Sequence, residues 1–155
     1  MADLPWLSYH VSPEETVRNA AQLIRAGAHS VKLEGGVTRV PMVRALLNAE
    51  IPVMGHVGLT PQSILAFGGF KVQAKTQDEA ALLLEGALAL EDAGCYAVVV
   101  EGVPVSVGTL ATNTLTVPTI GIGAGPDTDG QVLVFHDLLG WTNRKPPRFV
   151  RSYAN

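Results

Sequence analysis

Short apolar runs that stop on an ionisable side chain, each separated from the next by a helical pattern, constrain this chain most. Ser30-Val31-Lys32-Leu33-Glu34 runs into Gly35-Gly36, Ile51-Pro52-Val53-Met54-Gly55 stops on His56, Ala97-Val98-Val99-Val100 stops on Glu101, and Asp3 precedes Leu4-Pro5. Side chains alternate across a strand, so Lys32 and Glu34 share one face while Val31 and Leu33 share the other. Two residues of rise set those charges roughly 6 to 7 Å apart along the strand, close enough to act on one small ligand. Apolar strands that alternate with helices and end in single ionisable groups describe the mouth of a parallel β/α sheet or barrel. Such folds place their catalytic residues there.

The helices carry their own start and stop signals. Ser12-Pro13-Glu14-Glu15 offers an N-cap, a proline in the first turn and a capping-box glutamate, with Gly27 ending the helix. Thr76-Gln77-Asp78-Glu79 repeats the device for a helix that runs through Leu88 to Gly94. Val40, Val43, Leu46 and Leu47 fall at helical spacing within 38–48, Thr60-Pro61 opens a short helix closed by Gly68-Gly69, and 104–115 is a helix weakened by Gly108. Strands are expected near Asp3 and over 29–34, 51–56, 95–101, 117–122 and 131–135. The order is β, α, β, α throughout, with right-handed crossovers and one domain over residues 1–155.

Composition narrows the functional classes. At 155 residues with 47% hydrophobic and 16% charged side chains, the chain can bury a real core. A net charge of −3 argues against a nucleic-acid or anionic-membrane partner. The basic residues Arg144, Lys145, Arg148 and Arg151 gather at the tail and read as a solvated end. Cys95 is the only cysteine, and its place between a helix and a strand fits a buried thiol better than a nucleophile. The start of the chain carries neither a basic nor an apolar leader pattern, and no apolar stretch approaches about 18 residues, so a cytoplasmic location is expected.

Each ionisable strand end admits a second reading. Lys32 and Glu34 could be a structural ion pair instead of a site. Glu101, followed by Gly102 and Pro104, could cap a helix, His56 could be a satisfied loop histidine, and Asp3 could be a frayed, solvated residue. Gly121-Ile122-Gly123-Ala124-Gly125 looks like a nucleotide-binding loop, but Pro126, Asp127 and Asp129 follow where an anion needs free N–H groups, which favours a packed strand end and tight turn.

A complete (β/α)₈ barrel typically takes about 250 residues, more than this chain has, and the motifs along it decide between a smaller doubly wound sheet and the later part of a barrel. Ala2-Asp3-Leu4-Pro5, Val31 to Gly36, Gly55-His56-Val57-Gly58-Leu59-Thr60-Pro61-Gln62, Gly68-Gly69-Phe70-Lys71-Val72-Gln73, Glu101 with Pro104, Gly121 to Asp127, and Asp129 to Asp137 occur in that order. In that order they resemble ketopantoate hydroxymethyltransferase, also called 3-methyl-2-oxobutanoate hydroxymethyltransferase, over essentially the whole chain. The resemblance implies an α/β TIM (β/α)₈ barrel of the phosphoenolpyruvate mutase-like type, here without roughly its first two strands. An Asp-Ser pair that contributes to the family's metal and substrate sites lies in the part absent from this chain.

The activity so implied is transfer of a hydroxymethyl group from 5,10-methylenetetrahydrofolate to 3-methyl-2-oxobutanoate, giving ketopantoate for pantothenate and coenzyme A biosynthesis. Mg²⁺ and a homo-oligomer, a decamer in many members, come with the family. By the same resemblance Asp3 and Glu34 match metal ligands, Asp3, Lys32 and His56 match substrate contacts, and Glu101 matches the catalytic base. These residue types suit the chemistry. Carboxylates with substrate and water oxygens satisfy Mg²⁺, Lys32 can neutralise a substrate carboxylate, and desolvation at the end of an apolar strand raises the basicity of Glu101. The rivals are an inactive shortened homologue acting only as a subunit partner, and another Mg²⁺-dependent keto-acid lyase.

Overall fold

The computed structural model describes residues 1–141, 146–151 and 153–154; Arg144 and Lys145 of the basic tail lie outside the described residues. Six strands form one parallel sheet: β1 (Ala2–Asp3), β2 (Val31–Lys32), β3 (Val53–Gly58), β4 (Ala97–Glu101), β5 (Thr119–Ile122) and β6 (Gly130–Gln131). Their spatial order is their chain order, and every neighbouring pair is parallel. A doubly wound sheet reverses its strand order at a switch point; this sheet never does. Continuous winding in one direction curls it into a half-barrel and excludes the smaller doubly wound alternative.

The helices follow the caps written in the sequence. Helix α1 (Pro13–Arg25) begins where Ser12 Oγ accepts the Glu15 N–H at 3.2 Å. The region expected to be helical over 38–48 opens as a 3₁₀ turn (Val37–Arg39) and becomes α2 (Val40–Asn48), with Pro41 in its first turn. Helix α3 (Ile64–Phe67) stops at Gly68. Helix α4 (Gln77–Ala93) carries a complete capping box between Thr76 and Glu79. Helix α5 (Val105–Thr114) follows Pro104, which offers no side-chain cap; Glu101 is therefore not a capping residue.

One expected strand is corrected. Residues 131–135 do not extend as a strand: β6 ends at Gln131 and Phe135 begins helix α6 (Phe135–Leu139). Val132 and Val134 are both exposed, so no buried face holds this stretch extended.

Side-chain alternation sorts the sheet into two faces. Val31, Leu33, Val53, Val57, Val98 and Val100 pack against Ala20, Val43, Leu46, Ala87 and Leu90 of the helices in one buried cluster. Lys32, His56 and Glu101 occupy the alternate positions and so face the concave side, with Asp3 beside Lys32 in the register. Among the described residues no helix is long and apolar enough to cross a membrane.

Candidate active site

Strand register carries the candidate residues to one mouth. Asp3 pairs with Lys32 across β1 and β2, Gly35 bridges to His56, and Gly58 pairs with Glu101 across β3 and β4. Parallel strands all end on the same side, so these groups converge although they lie far apart in sequence.

Lys32 does not pair with Glu34 but with Asp3, whose Oδ1 lies 2.5 Å from Lys32 Nζ. The structural Lys32–Glu34 ion pair that spacing allowed is thus replaced by a different arrangement. His56 stands between them: its Nδ1 is 3.4 Å from Lys32 Nζ and 3.7 Å from Glu34 Oε1. On the other edge of the ring, His56 Nε2 approaches Glu101 Oε2 at 3.1 Å. That approach is misaligned for a hydrogen bond, and Nε2 is buried without a partner among the described residues. His56 is therefore a strand residue with an unsatisfied nitrogen, not the satisfied loop histidine its neighbouring glycines allowed. A buried polar atom left unpaired is costly, and here it faces the carboxylate that the strand end offers to the mouth.

Glu34 is the most deeply set carboxylate of the group, its side chain 6% exposed. Burial holds its pKa above the ordinary range, opposed by the Gln62 N–H, His56 and Lys32. Glu34 Oε2 accepts the Gln62 backbone N–H at 2.9 Å, and the Glu34 carbonyl accepts Arg39 Nε at 3.2 Å. Glu101 is 13% exposed and the Asp3 side chain 59% exposed, so the site grades from a dry floor to an open rim.

Three supporting residues escaped the sequence. Tyr9 donates its hydroxyl to Gln62 Oε1 at 2.7 Å and accepts the Glu34 N–H at 3.3 Å, while Gln62 Nε2 donates to the Leu4 carbonyl at 2.8 Å. Arg39 stacks over the Tyr9 ring at 5.5 Å. Burial pushes the Tyr9 hydroxyl up to about 12, so it stays a neutral donor. Gln62 ends the motif that starts at Gly55, which marked it for attention without a role. Tyr9 sits in a stretch with no periodic pattern and gave no signal.

The other expectations fall into place around the site. Cys95 is buried, and desolvation lifts its thiol to about 12, as suits an inert core residue. The glycine-rich 121–125 segment is packed: Asp129 Oδ2 accepts the Thr119 N–H at 2.8 Å and Asp127 Oδ2 accepts the Thr109 hydroxyl at 2.7 Å, so those carboxylates brace the turn. Among the described residues no group of three or more His, Cys, Asp and Glu could hold a metal ion. Asp3 and Glu34 are each hard oxygen donors, the type that suits a cation keeping water and substrate oxygens in its shell.

A family model for ketopantoate hydroxymethyltransferase matches residues 1–155. The chain is 57% identical over 155 residues to 3-methyl-2-oxobutanoate hydroxymethyltransferase 2 of Bradyrhizobium diazoefficiens, covering 100% of this chain and 53% of that protein. It is 52% identical over 156 residues to the enzyme of the same name from Clostridioides difficile, covering 57% of it. The chain thus spans about half the length of the curated relatives it matches. Among solved structures, a putative phosphonomutase from Burkholderia cenocepacia superposes with a TM-score of 0.59 at 19% identity, over 77% of this chain and 53% of that one. A prophage protein of the dihydrodipicolinic acid synthase family from E. coli gives 0.54 at 14% identity, over 77% and 43%. These two likenesses speak to the fold alone.

Proposed function

This chain belongs to the ketopantoate hydroxymethyltransferase family, and from that premise we propose that its concave mouth transfers a hydroxymethyl group from 5,10-methylenetetrahydrofolate to 3-methyl-2-oxobutanoate. The observation that carries the reading is the convergence of Lys32, Glu34 and Glu101 on buried His56 at the ends of β2, β3 and β4. One cation, one carboxylate on the dry floor and one carboxylate at the rim are what an enolising keto acid needs.

The roles follow from the chemistry. Lys32, held by Asp3, neutralises the substrate carboxylate as a point charge. Glu101 takes the proton from the carbon next to the ketone. Water breaks both C–N bonds of the carrier's methylene bridge, its two protons going to the nitrogens, so that tetrahydrofolate leaves and the carbon is released as formaldehyde. The carbanion adds to that carbonyl carbon, the C=O π bond breaks as the carbon–carbon bond forms, and the alkoxide takes the proton held by Glu101 to become the hydroxyl. His56 Nε2, unpaired and facing Glu101, offers a nitrogen through which the carboxyl can be oriented or relieved of its proton. Asp3 and Glu34 fit Mg²⁺ by donor type, and a cation there would offset the burial that disfavours the Glu34 charge. Bound there, Mg²⁺ supplies Lewis-acid stabilisation of negative charge on the keto oxygen.

Exchange of the C3 proton of 3-methyl-2-oxobutanoate into deuterated water, without folate, tests the first step alone. The chain with Mg²⁺ should catalyse exchange, and Glu101→Gln should slow it by about 10² to 10⁴ because Gln keeps the shape but accepts no proton. Absent exchange by the unmodified chain, or unchanged exchange in the variant, overturns the assignment.

A further inference from the structure

Glu34 is pinned at its N–H, its carbonyl and its carboxylate, each by a different residue. The N–H donates to the Tyr9 hydroxyl at 3.3 Å, the carbonyl accepts Arg39 Nε at 3.2 Å, and Oε2 accepts the Gln62 N–H at 2.9 Å. That last donor is free for a physical reason. Gln62 lies in the first part of a 3₁₀ turn (Pro61–Ser63), where N–H groups have no partner inside the turn, and Pro61 has none to offer. The bond occupies Oε2 and leaves Oε1 towards His56, 3.7 Å from its Nδ1.

The Gln62 side chain decides where its own N–H stands. Its Oε1 accepts the Tyr9 hydroxyl at 2.7 Å and its Nε2 donates to the Leu4 carbonyl at 2.8 Å. A carbonyl can only accept and a hydroxyl that accepts from Glu34 can still donate, so both partners require the same amide orientation. Leu4 lies just past β1, Glu34 just past β2 and Gln62 in the loop after β3, so these bonds tie three strand ends together. Packing alone would need only the Tyr9 ring, which is covered by Arg39 at 5.5 Å and by the His10 ring at 4.2 Å. The hydroxyl adds nothing to those contacts. Both its bonds go to Glu34 and Gln62, and Tyr9 is 1% exposed, where half-made hydrogen bonds are costly.

We propose that Tyr9 and Gln62 are positioning residues: together they hold the Glu34 carboxylate with Oε2 bonded and Oε1 presented to His56, and so set the geometry in which the keto acid loses its proton. The inference rests on the function proposed above and adds which residues, outside the ring of charges, keep that ring in register. A misplacement of about 1 Å in such a group can cost about 10²-fold in rate.

Tyr9→Phe keeps the ring and removes both bonds of the hydroxyl; Gln62→Met keeps the length and removes both bonds of the amide. Circular dichroism checks that each variant stays folded, and should Tyr9→Phe fail, Gln62→Met carries the test alone. Each should slow C3-proton exchange of 3-methyl-2-oxobutanoate by about tenfold to 10²-fold. In a Glu34→Gln background neither should lower the residual exchange further, because groups that act through one residue do not add to its loss, whereas a merely structural role adds in full. A readout free of turnover is the Gln62 amide proton resonance. The bond to Glu34 holds it downfield in the unmodified chain, and both variants should move it upfield. Unchanged exchange in the folded variants, additive losses in the Glu34→Gln background, or an unmoved amide resonance overturns the inference. No exchange by the unmodified chain overturns the proposed function instead, and the amide resonance then decides by itself whether Tyr9 and Gln62 hold Glu34.

Discussion

Glu34 shows how one residue can be costly to the fold and useful to the site. Burial raises its pKa above the ordinary 4.5, so the native protein holds that proton more tightly than the unfolded chain. Native stabilisation from this group is therefore complete below the unfolded pKa and is lost as pH rises through the folded one. In chelator-treated protein, Glu34→Gln should flatten the fall in stability between mildly acidic and neutral pH and leave the variant the more stable at neutrality. Urea midpoints across that range measure it; identical slopes for both proteins would mean that the carboxyl is not held in its protonated form. The Gln62 N–H and the Tyr9 hydroxyl keep their geometry in the variant, because Gln still offers a carbonyl oxygen to Gln62. The same substitution should abolish the Mg²⁺ dependence of keto-acid binding if Glu34 ligates the cation.

At the scale of elements, α5 contradicts its own propensity for a reason outside the helix. Gly108, with several threonines and valines, made it the weakest helix in the sequence. The glycine is required because a Cβ would run into the Ala124 carbonyl oxygen, where α5 packs on the turn after β5. Gly108→Ala should gain up to about 1 kcal/mol of helix propensity and lose about 1–3 kcal/mol to overpacking. A net fall in the thermal midpoint is expected, and a rise would show that the turn yields freely. The capped helices needed no such rescue: Thr76 and Glu79 exchange hydrogen bonds within α4 as their spacing dictates. The missed α6 is the reverse case, since five residues after two exposed valines carry no pattern long enough to register.

Across the whole molecule, the curled sheet has a stable middle and light margins. β3 and β4 share the longest register, five residue pairs, and their valines fill the helix-side core. β1 and β6 are two-residue strands at the ends of the strand order. Opening free energy tracks buried contacts and shielded hydrogen bonds. Amide exchange should therefore be slowest in β3 and β4 and fastest in β1 and β6. Uniform protection across the six strands would show that the margins are held by contacts absent from the described residues. Because Asp3 sits on β1 and Lys32 on the next strand, the rim of the site should loosen before its floor, where His56 and Glu34 are buried.

Alternation and capping are local, so the sequence by itself determined the parallel β/α order, most helix starts, the shared face of Lys32 and Glu34, the gathering of Lys32, His56 and Glu101 at one mouth, and the inert setting of Cys95. Seven ordered motifs carried the family as well. Contacts between distant segments obey no local period, and only the tertiary structure decided those. It chose Asp3 over Glu34 as the partner of Lys32, put His56 between two carboxylates, and built the Tyr9–Gln62 brace beneath Glu34. Winding in one direction, which separates a half-barrel from a doubly wound sheet, is not written in the alternating pattern of strands and helices that the two share; the ordered family motifs implied it, and the strand order shows it.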